Sequence, residues 1–138
     1  MISVLVADDH TVVREALGSL LATAGDIQIV AVASNGQEAI TKAVLHGPNV
    51  TIMGVSMPVM DGIEATKQIC TCCPQTRVLM VSMHDTPKYI RRCLRAGALG
   101  YVIKDMAGDD LVIAVHSLYQ GNRYFSQQIA EIAKYYIQ

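Results

Sequence analysis

The sequence predicts an α/β domain built on a doubly wound parallel sheet, with five strands alternating with five helices. Three observations carry this. Short apolar runs, too brief for helices, recur along the chain, and each is followed by a segment whose apolar residues return at helical spacing. The connections between them are short and marked by Gly, Pro or Asn. The composition, 51% hydrophobic and 17% charged over 138 residues, suits strands buried on both faces rather than a sheet with one face in water. Alternation of this kind produces parallel strands joined by right-handed crossovers, and a chain of this length is expected to bury one core.

The first strand is Ile2 to Ala7, and it ends in Asp8-Asp9-His10, which sets two carboxylates side by side at its carboxyl end. Thr11 to Ala24 follows as a helix with an apolar stripe of Val13, Ala16, Leu17, Leu20, Leu21 and Ala24, stopped by Gly25. Ile27 to Ala33 is the second strand. Ser34 and Gln37 have the spacing of a capping box that opens a helix running to about His46, before Gly47-Pro48. Asn49 to Met53 is the third strand. The loop Gly54-Val55-Ser56-Met57-Pro58-Val59-Met60-Asp61-Gly62 then places an acidic residue at the positive end of the next helix, which runs to about Cys72 and is stopped by Pro74.

Thr76 to Ser82 is the fourth strand, and Pro87 sits in the first turn of a helix carrying Ile90, Cys93 and Leu94 on one side. Gly100 to Ile103 is a short fifth strand ending at Lys104. Leu111, Ala114, Val115 and Leu118 mark the fifth helix, ended by Gly121. The segment 122–138 reads differently: Ile129, Ile132, Ala133 and Tyr136 form a helical stripe after Ser126, the pattern of a linker helix leading to a domain outside this chain. The expected division is therefore 1–121 and 122–138.

Several function classes are disfavoured by composition. No run approaches the roughly 18 apolar residues of a membrane span, and no basic segment precedes the first strand, so the reading is a cytoplasmic chain with no membrane partner. A net charge of −1 offers no concentrated basic field for nucleic acid. Cys70-Thr71-Cys72-Cys73 contains one C-x-x-C spacing, but none of His10, His46, His84 or His116 supplies the second ligand pair that zinc usually needs. These cysteines also close a helix, where the dipole does not favour thiolate. They read as small core residues plus an exposed thiol or two. The seven methionines read as adaptable core filling rather than a soft-metal site.

Ligands in open α/β sheets gather at the carboxyl ends of the strands, and there a family resemblance becomes specific. The loop from Gly54 to Gly62 resembles the phosphorylation loop of bacterial two-component response-regulator receiver domains, Asp-x-x-Met-Pro-x-Met-Asp-Gly. Met57, Pro58, Met60, Asp61 and Gly62 match it, and Gly54 stands where the family carries its phosphoacceptor aspartate. Asp8-Asp9 matches the family's acidic pair, Ser82 its hydroxyl residue, Tyr101 its switch aromatic and Lys104 its lysine. The Asp8-Asp9-His10 opening and the Gly100-Tyr-Val-Ile-Lys-Asp ending are most similar to the NarL/FixJ (LuxR-type) branch, whose members usually carry a DNA-binding helix-turn-helix after the receiver. Asn49 is a second departure, since that branch more often has an acidic residue there.

The resemblance covers roughly Ile2 to Gly121 and implies a flavodoxin-like sheet of order 2-1-3-4-5, in which Asp8, Asp9 and Gly54 converge. It also implies a chemistry, transfer of a phosphoryl group from a kinase phosphohistidine to an aspartate, assisted by Mg²⁺. Asp9 is then the direct metal ligand, Asp8 acts mainly through water, and the Ser56 backbone carbonyl completes the protein's share. Lys104 and the Ser82 hydroxyl hold the phosphoryl group, while Ser82 and Tyr101 move inward to repack the surface near the last two strands. Gly54 removes the acceptor and one metal ligand, so Mg²⁺ binding is expected to be weak or absent, no catalytic residue remains at that position, and the carboxylates are free to pair with Lys104.

The function this implies is that of a signalling module rather than an enzyme. It serves a transcription regulator and is not phosphorylated in the usual way. Implied partners are a sensor histidine kinase, a second copy in a homodimer, and DNA only through an output domain absent from this chain. The implied contact surface is the helix from Pro87, the strand ending at Tyr101 and the helix Leu111 to Gln120. The competing reading is a flavodoxin-like small-ligand or nucleotide-binding protein. That reading needs a glycine-rich or hydroxyl-rich phosphate loop after strand one, where Asp8-Asp9-His10-Thr11 would instead repel phosphate.

Overall fold

In the computed structural model of the protein, which describes residues 1–104 and 107–137, one parallel sheet forms the centre. Its strands are β1 (Ile2–Ala7), β2 (Ile27–Ala33), β3 (Val50–Gly54), β4 (Arg77–Ser82), β5 (Gly100–Ile103) and β6 (Tyr124–Phe125), in the order β2-β1-β3-β4-β5-β6. Helices α1 (Thr11–Ala22) and α5 (Ala107–Tyr119) cover one face. The other is covered by α2 (Gly36–His46), α3 (Gly62–Cys72), α4 (Pro87–Ala96) and the short α6 (Gln127–Ala133). This is the doubly wound, flavodoxin-like class expected. Asp105, which closes the Gly100-Tyr-Val-Ile-Lys-Asp motif, and Gln138 lie outside the described residues.

Successive residues of each strand feed opposite layers, because side chains alternate across a strand. Leu5, Ala7, Met53, Val78, Met80 and Tyr101 pack with α2, α3, α4 and α6, whereas Val4, Val6, Ile52, Leu79, Val81 and Val102 pack with α1 and α5. On α5, Leu111, Ala114, Val115 and Leu118 are all fully buried, so the predicted stripe is the docked face. Reversal of strand order at β1 brings the ends of β1 and β3 together, with Ala7 opposite Met53.

Three details correct the sequence reading. The sheet has six strands, not five, because the segment read as a linker helix returns to the open edge of β5. Ser126 N donates to Tyr101 O (3.1 Å), Ser126 Oγ accepts from Ile103 N (3.1 Å), and Ile129 and Ala133 are fully buried. Ile129, Ile132 and Ala133 of the tail's apolar stripe are thus the face of α6 packed onto the body, whereas Tyr136 lies beyond the helix and is exposed, and a two-residue strand is too short to announce itself by periodicity. The start of α2 is also one residue later than a Ser34–Gln37 box requires. Asn35 Oδ1 accepts from Glu38 N (2.9 Å), while the Glu38 carboxylate accepts from Ser34 N (3.1 Å) and Ser34 Oγ (2.9 Å). Finally, α1 ends at Ala22 rather than Ala24.

Candidate functional site

Four strand ends build the site. Asp8 follows β1 and is buried. Its Oδ1 accepts from His10 N (2.9 Å), and its Oδ2 is paired with Lys104 Nζ at 2.7 Å. Lys104 follows β5, so its side chain must cross the ends of β4 and β3 to reach this carboxylate. Gly54 ends β3 and leaves the path open. A Cβ placed on it would lie 3.1 Å from Asp8 Oδ2 and 3.4 Å from the Ala7 carbonyl oxygen.

Asp9 is partly exposed, yet its Oδ1 is buried and accepts no hydrogen bond. His10 Nδ1 lies 3.0 Å from that oxygen, an electrostatic contact without hydrogen-bond alignment. Ligand atoms of Asp8, Asp9 and His10 lie within 4.8 Å of one another, and among the described residues this is the one group of three metal-type side chains. A buried carboxylate oxygen without a donor is what a hard divalent cation satisfies, so Asp9 and Asp8 fit Mg²⁺ by chemistry. The Lys104 ammonium reduces the negative charge they can offer. His10 was not assigned a site role from sequence, and its adjacency to the acidic pair was the available signal.

Ser82 ends β4. Its hydroxyl is buried and accepts from His84 N (3.0 Å). Ser56 is exposed on the β3–α3 loop, with Oγ 3.3 Å from His84 Nε2. A cavity of about 130 Å³ at this edge is lined by His10, Val55, Ser56, Ser82, His84 and Lys104. Tyr101 is fully buried, and its hydroxyl donates to the His84 carbonyl (2.6 Å). Burial pushes its phenol pKa up, against a smaller opposing effect of the Ser82 hydroxyl. The His84 ring stacks on Tyr89 of α4, with centroids 4.2 Å apart. His84 therefore joins Ser56, Ser82, Tyr89 and Tyr101. Sequence reasoning weighed it only as a zinc ligand, and nothing local distinguishes it.

The remaining loop residues position the chain. Met57 and Met60 are half-buried against the core, and Pro58 is exposed. Met60 N donates to Pro58 O (2.7 Å), closing a γ-turn around Val59 at φ 68°, a conformation that a β-branched residue adopts only under strain. Asp61 Oδ1 accepts from Glu64 N (2.9 Å) and caps α3, as the acidic residue before the helix predicts. Gly62 has no freedom to grow, since a Cβ there would run into the Gly54 carbonyl oxygen. At the opposite end of β3, Asn49 Oδ1 accepts from Ser3 N (2.9 Å) and Ser3 Oγ (3.0 Å), tying β3 to β1 away from the site. Among the described residues no helix is long and apolar enough to cross a membrane.

A sequence profile for the response regulator receiver domain matches residues 4–116. The chain is 40% identical over 121 residues to the transcriptional regulatory protein LnrK of Bacillus subtilis (strain 168), an alignment that covers 88% of this chain and 55% of that protein. It is 37% identical over 127 residues to the oxygen regulatory protein NreC of Staphylococcus haemolyticus (strain JCSC1435), covering 91% and 58%. The chain thus spans a little over half the length of the curated relatives it matches. A crystal structure of a LuxR-family two-component response regulator from Aurantimonas sp. SI85-9A1 superposes with a TM-score of 0.91 at 30% identity, over 96% of this chain and 95% of that one.

Proposed function

The chain belongs to the response regulator receiver domain family, and from that premise we propose that it is a NarL/LuxR-type receiver module that signals without a phosphorylated residue at position 54. The carrying observation is the pairing of Lys104 with Asp8 beside a glycine. Gly54 offers no carboxylate nucleophile, and the ammonium that would steady a phosphoryl group is committed to Asp8 at 2.7 Å. Asp9 and Asp8, with the Ser56 carbonyl, are the groups that would hold Mg²⁺. When bound, it would neutralise charge at this edge.

The switch residues support a protein-contact role. Tyr101 is buried and bonded to His84 O, and His84 stacks on Tyr89 of α4, so direct contacts tie the pocket edge to the surface of α4 and β5. A sensor histidine kinase or a second copy of the chain would read that surface as it stands. Residues 1–121 form the receiver in this reading, and 122–138 join it to an output domain that contacts DNA. The relatives' greater length, and the role of LnrK as a transcriptional regulatory protein, support that arrangement.

The test is incubation with a small acyl phosphate and Mg²⁺, followed by intact mass measurement. No phosphoryl gain is expected. A stoichiometric, hydroxylamine-labile adduct would overturn the reading.

A further inference from the structure

The end of α3 brings together two thiols that a continuous helix would hold apart. Neighbouring residues on a helix point about 100° away from each other and do not face. Cys72 is the last residue of α3, and Cys73 leaves the helix with φ −135° and ψ 64°. That break turns its side chain back, so that the two Sγ atoms lie 3.2 Å apart. Both thiols are free; Cys72 is exposed and Cys73 buried. Beside Cys72 opens a groove of about 460 Å³ between α2 and α3, lined by the apolar Ile40 and Val44 together with Glu64, Lys67, Gln68 and Thr71.

We propose that Cys72 and Cys73 form a dithiol site for a monosubstituted trivalent arsenical, whose organic group rests in the groove between α2 and α3. Two alternatives fit less well. Residues joined by a trans peptide hold their Cα atoms about 3.8 Å apart, shorter than the roughly 4.4 Å minimum usual for a disulfide. Tetrahedral zinc wants four ligands, and among the described residues no cysteine belongs to a group of three metal-type side chains. A pyramidal trivalent centre needs only two thiols plus its own substituent. With bonds about as long as zinc–thiolate bonds, roughly 2.3 Å, and a near-right angle, its sulfurs sit about 3.3 Å apart.

The reaction balances without an oxidant or reductant. A trivalent R–As=O reacts with two thiols to give R–As(S–Cys)₂ and one water. Two As–S bonds form, the arsenic–oxygen bond is replaced, and both thiol protons leave with the oxygen. Burial and the contact with Cys72 push the Cys73 thiol pKa up, so exposed Cys72 forms the first bond. Cys73 then closes the ring as an intramolecular partner, which raises its effective concentration and the stability of the chelate.

Phenylarsine oxide, added to the reduced full chain and followed by intact mass, tests this. One phenylarsenic group per chain is expected, stable to excess monothiol and removed by a small dithiol. Cys72→Ser, at an exposed position, should lower apparent affinity about a hundredfold or more, as should Cys73→Ala if it folds. Cys70→Ser should retain the adduct. Ile40→Asp should weaken phenylarsine oxide but not inorganic arsenite, since only the former fills the groove. An adduct that persists in Cys72→Ser, or that monothiol strips from the parent chain, would refute the site. Equal loss of both probes in a folded Ile40→Asp would refute the role of the groove.

Discussion

Lys104 Nζ lies 2.7 Å from Asp8 Oδ2, the atom that a Cβ on Gly54 would approach first. The Asp8 side chain is 2% exposed and that of Lys104 19%, so this is a largely desolvated pair. A buried carboxylate needs a counter-charge and hydrogen bonds. Asp8 obtains the first from Lys104 and the second from His10 N. The same contact stabilises the strand ends and occupies the lysine.

Lys104→Met should therefore destabilise the protein by about 3 kcal/mol, the lower end for leaving a buried charge uncompensated, because Lys104 keeps some exposure. Adding Asp8→Asn should recover most of the loss. Urea unfolding of the two single variants and the double measures the coupling. Additive effects would mean that the pair contributes nothing beyond its separate residues.

Gly54→Asp should cost about 1 kcal/mol or more without metal, since its Cβ alone starts 3.1 Å from an Asp8 oxygen and the new charge repels both Asp8 and Asp9. Mg²⁺ should reverse the loss by roughly 2.7 kcal/mol at a hundredfold excess over Kd, and the parent chain should respond much less. Labelling by a small acyl phosphate should appear and depend on Lys104 and Ser82. If the folded variant shows neither the larger Mg²⁺ shift nor labelling, the assignment of Asp8, Asp9, Ser82 and Lys104 to one phosphorylation pocket is wrong.

Tyr101→Phe removes the donor to His84 O and should cost about 1 kcal/mol near neutral pH. The phenol pKa is raised in the fold by burial, so its stabilising contribution is complete below the unfolded value, about 10, and is lost as pH rises above it. The parent chain should lose stability more steeply above about pH 10 than the phenylalanine variant. Parallel alkaline profiles would contradict the buried-phenol account.

Val59→Gly should stabilise the protein. Strain at a β-branched residue with φ 68° costs of order 1–3 kcal/mol, and the entropy of a new glycine takes back about 0.5–1 kcal/mol. A net gain of about 1 kcal/mol is expected, visible as a thermal midpoint several degrees higher. An unchanged or lower midpoint would show that the turn carries no strain.

Ser126→Ala leaves the buried Ile103 N without its acceptor and should cost about 1–3 kcal/mol. Ile129→Ala should cost about 2–5 kcal/mol as a core truncation. Both would be near neutral if the segment from 122 were a free linker, so denaturant unfolding of either variant distinguishes a docked tail from a loose one.

By itself, the sequence determined the alternation of strands and helices, the two buried layers, and the carboxyl-edge positions of Asp8, Asp9, Ser82 and Lys104. These follow from local periodicity and turn chemistry, which are written in neighbouring residues. Tertiary structure decided which of two carboxylates Lys104 would meet, because that depends on how far a side chain reaches across β4 and β3 and on the space left at Gly54. It also decided that Tyr124–Phe125 would complete the sheet and that His84 would join Ser56, Ser82, Tyr89 and Tyr101. A two-residue strand has no period, and a histidine in a polar loop gains its partners only when distant segments pack around it. The convergence of Cys72 and Cys73 lies between the two, since the sequence placed them at a helix end and only the backbone beyond that end turned the thiols together.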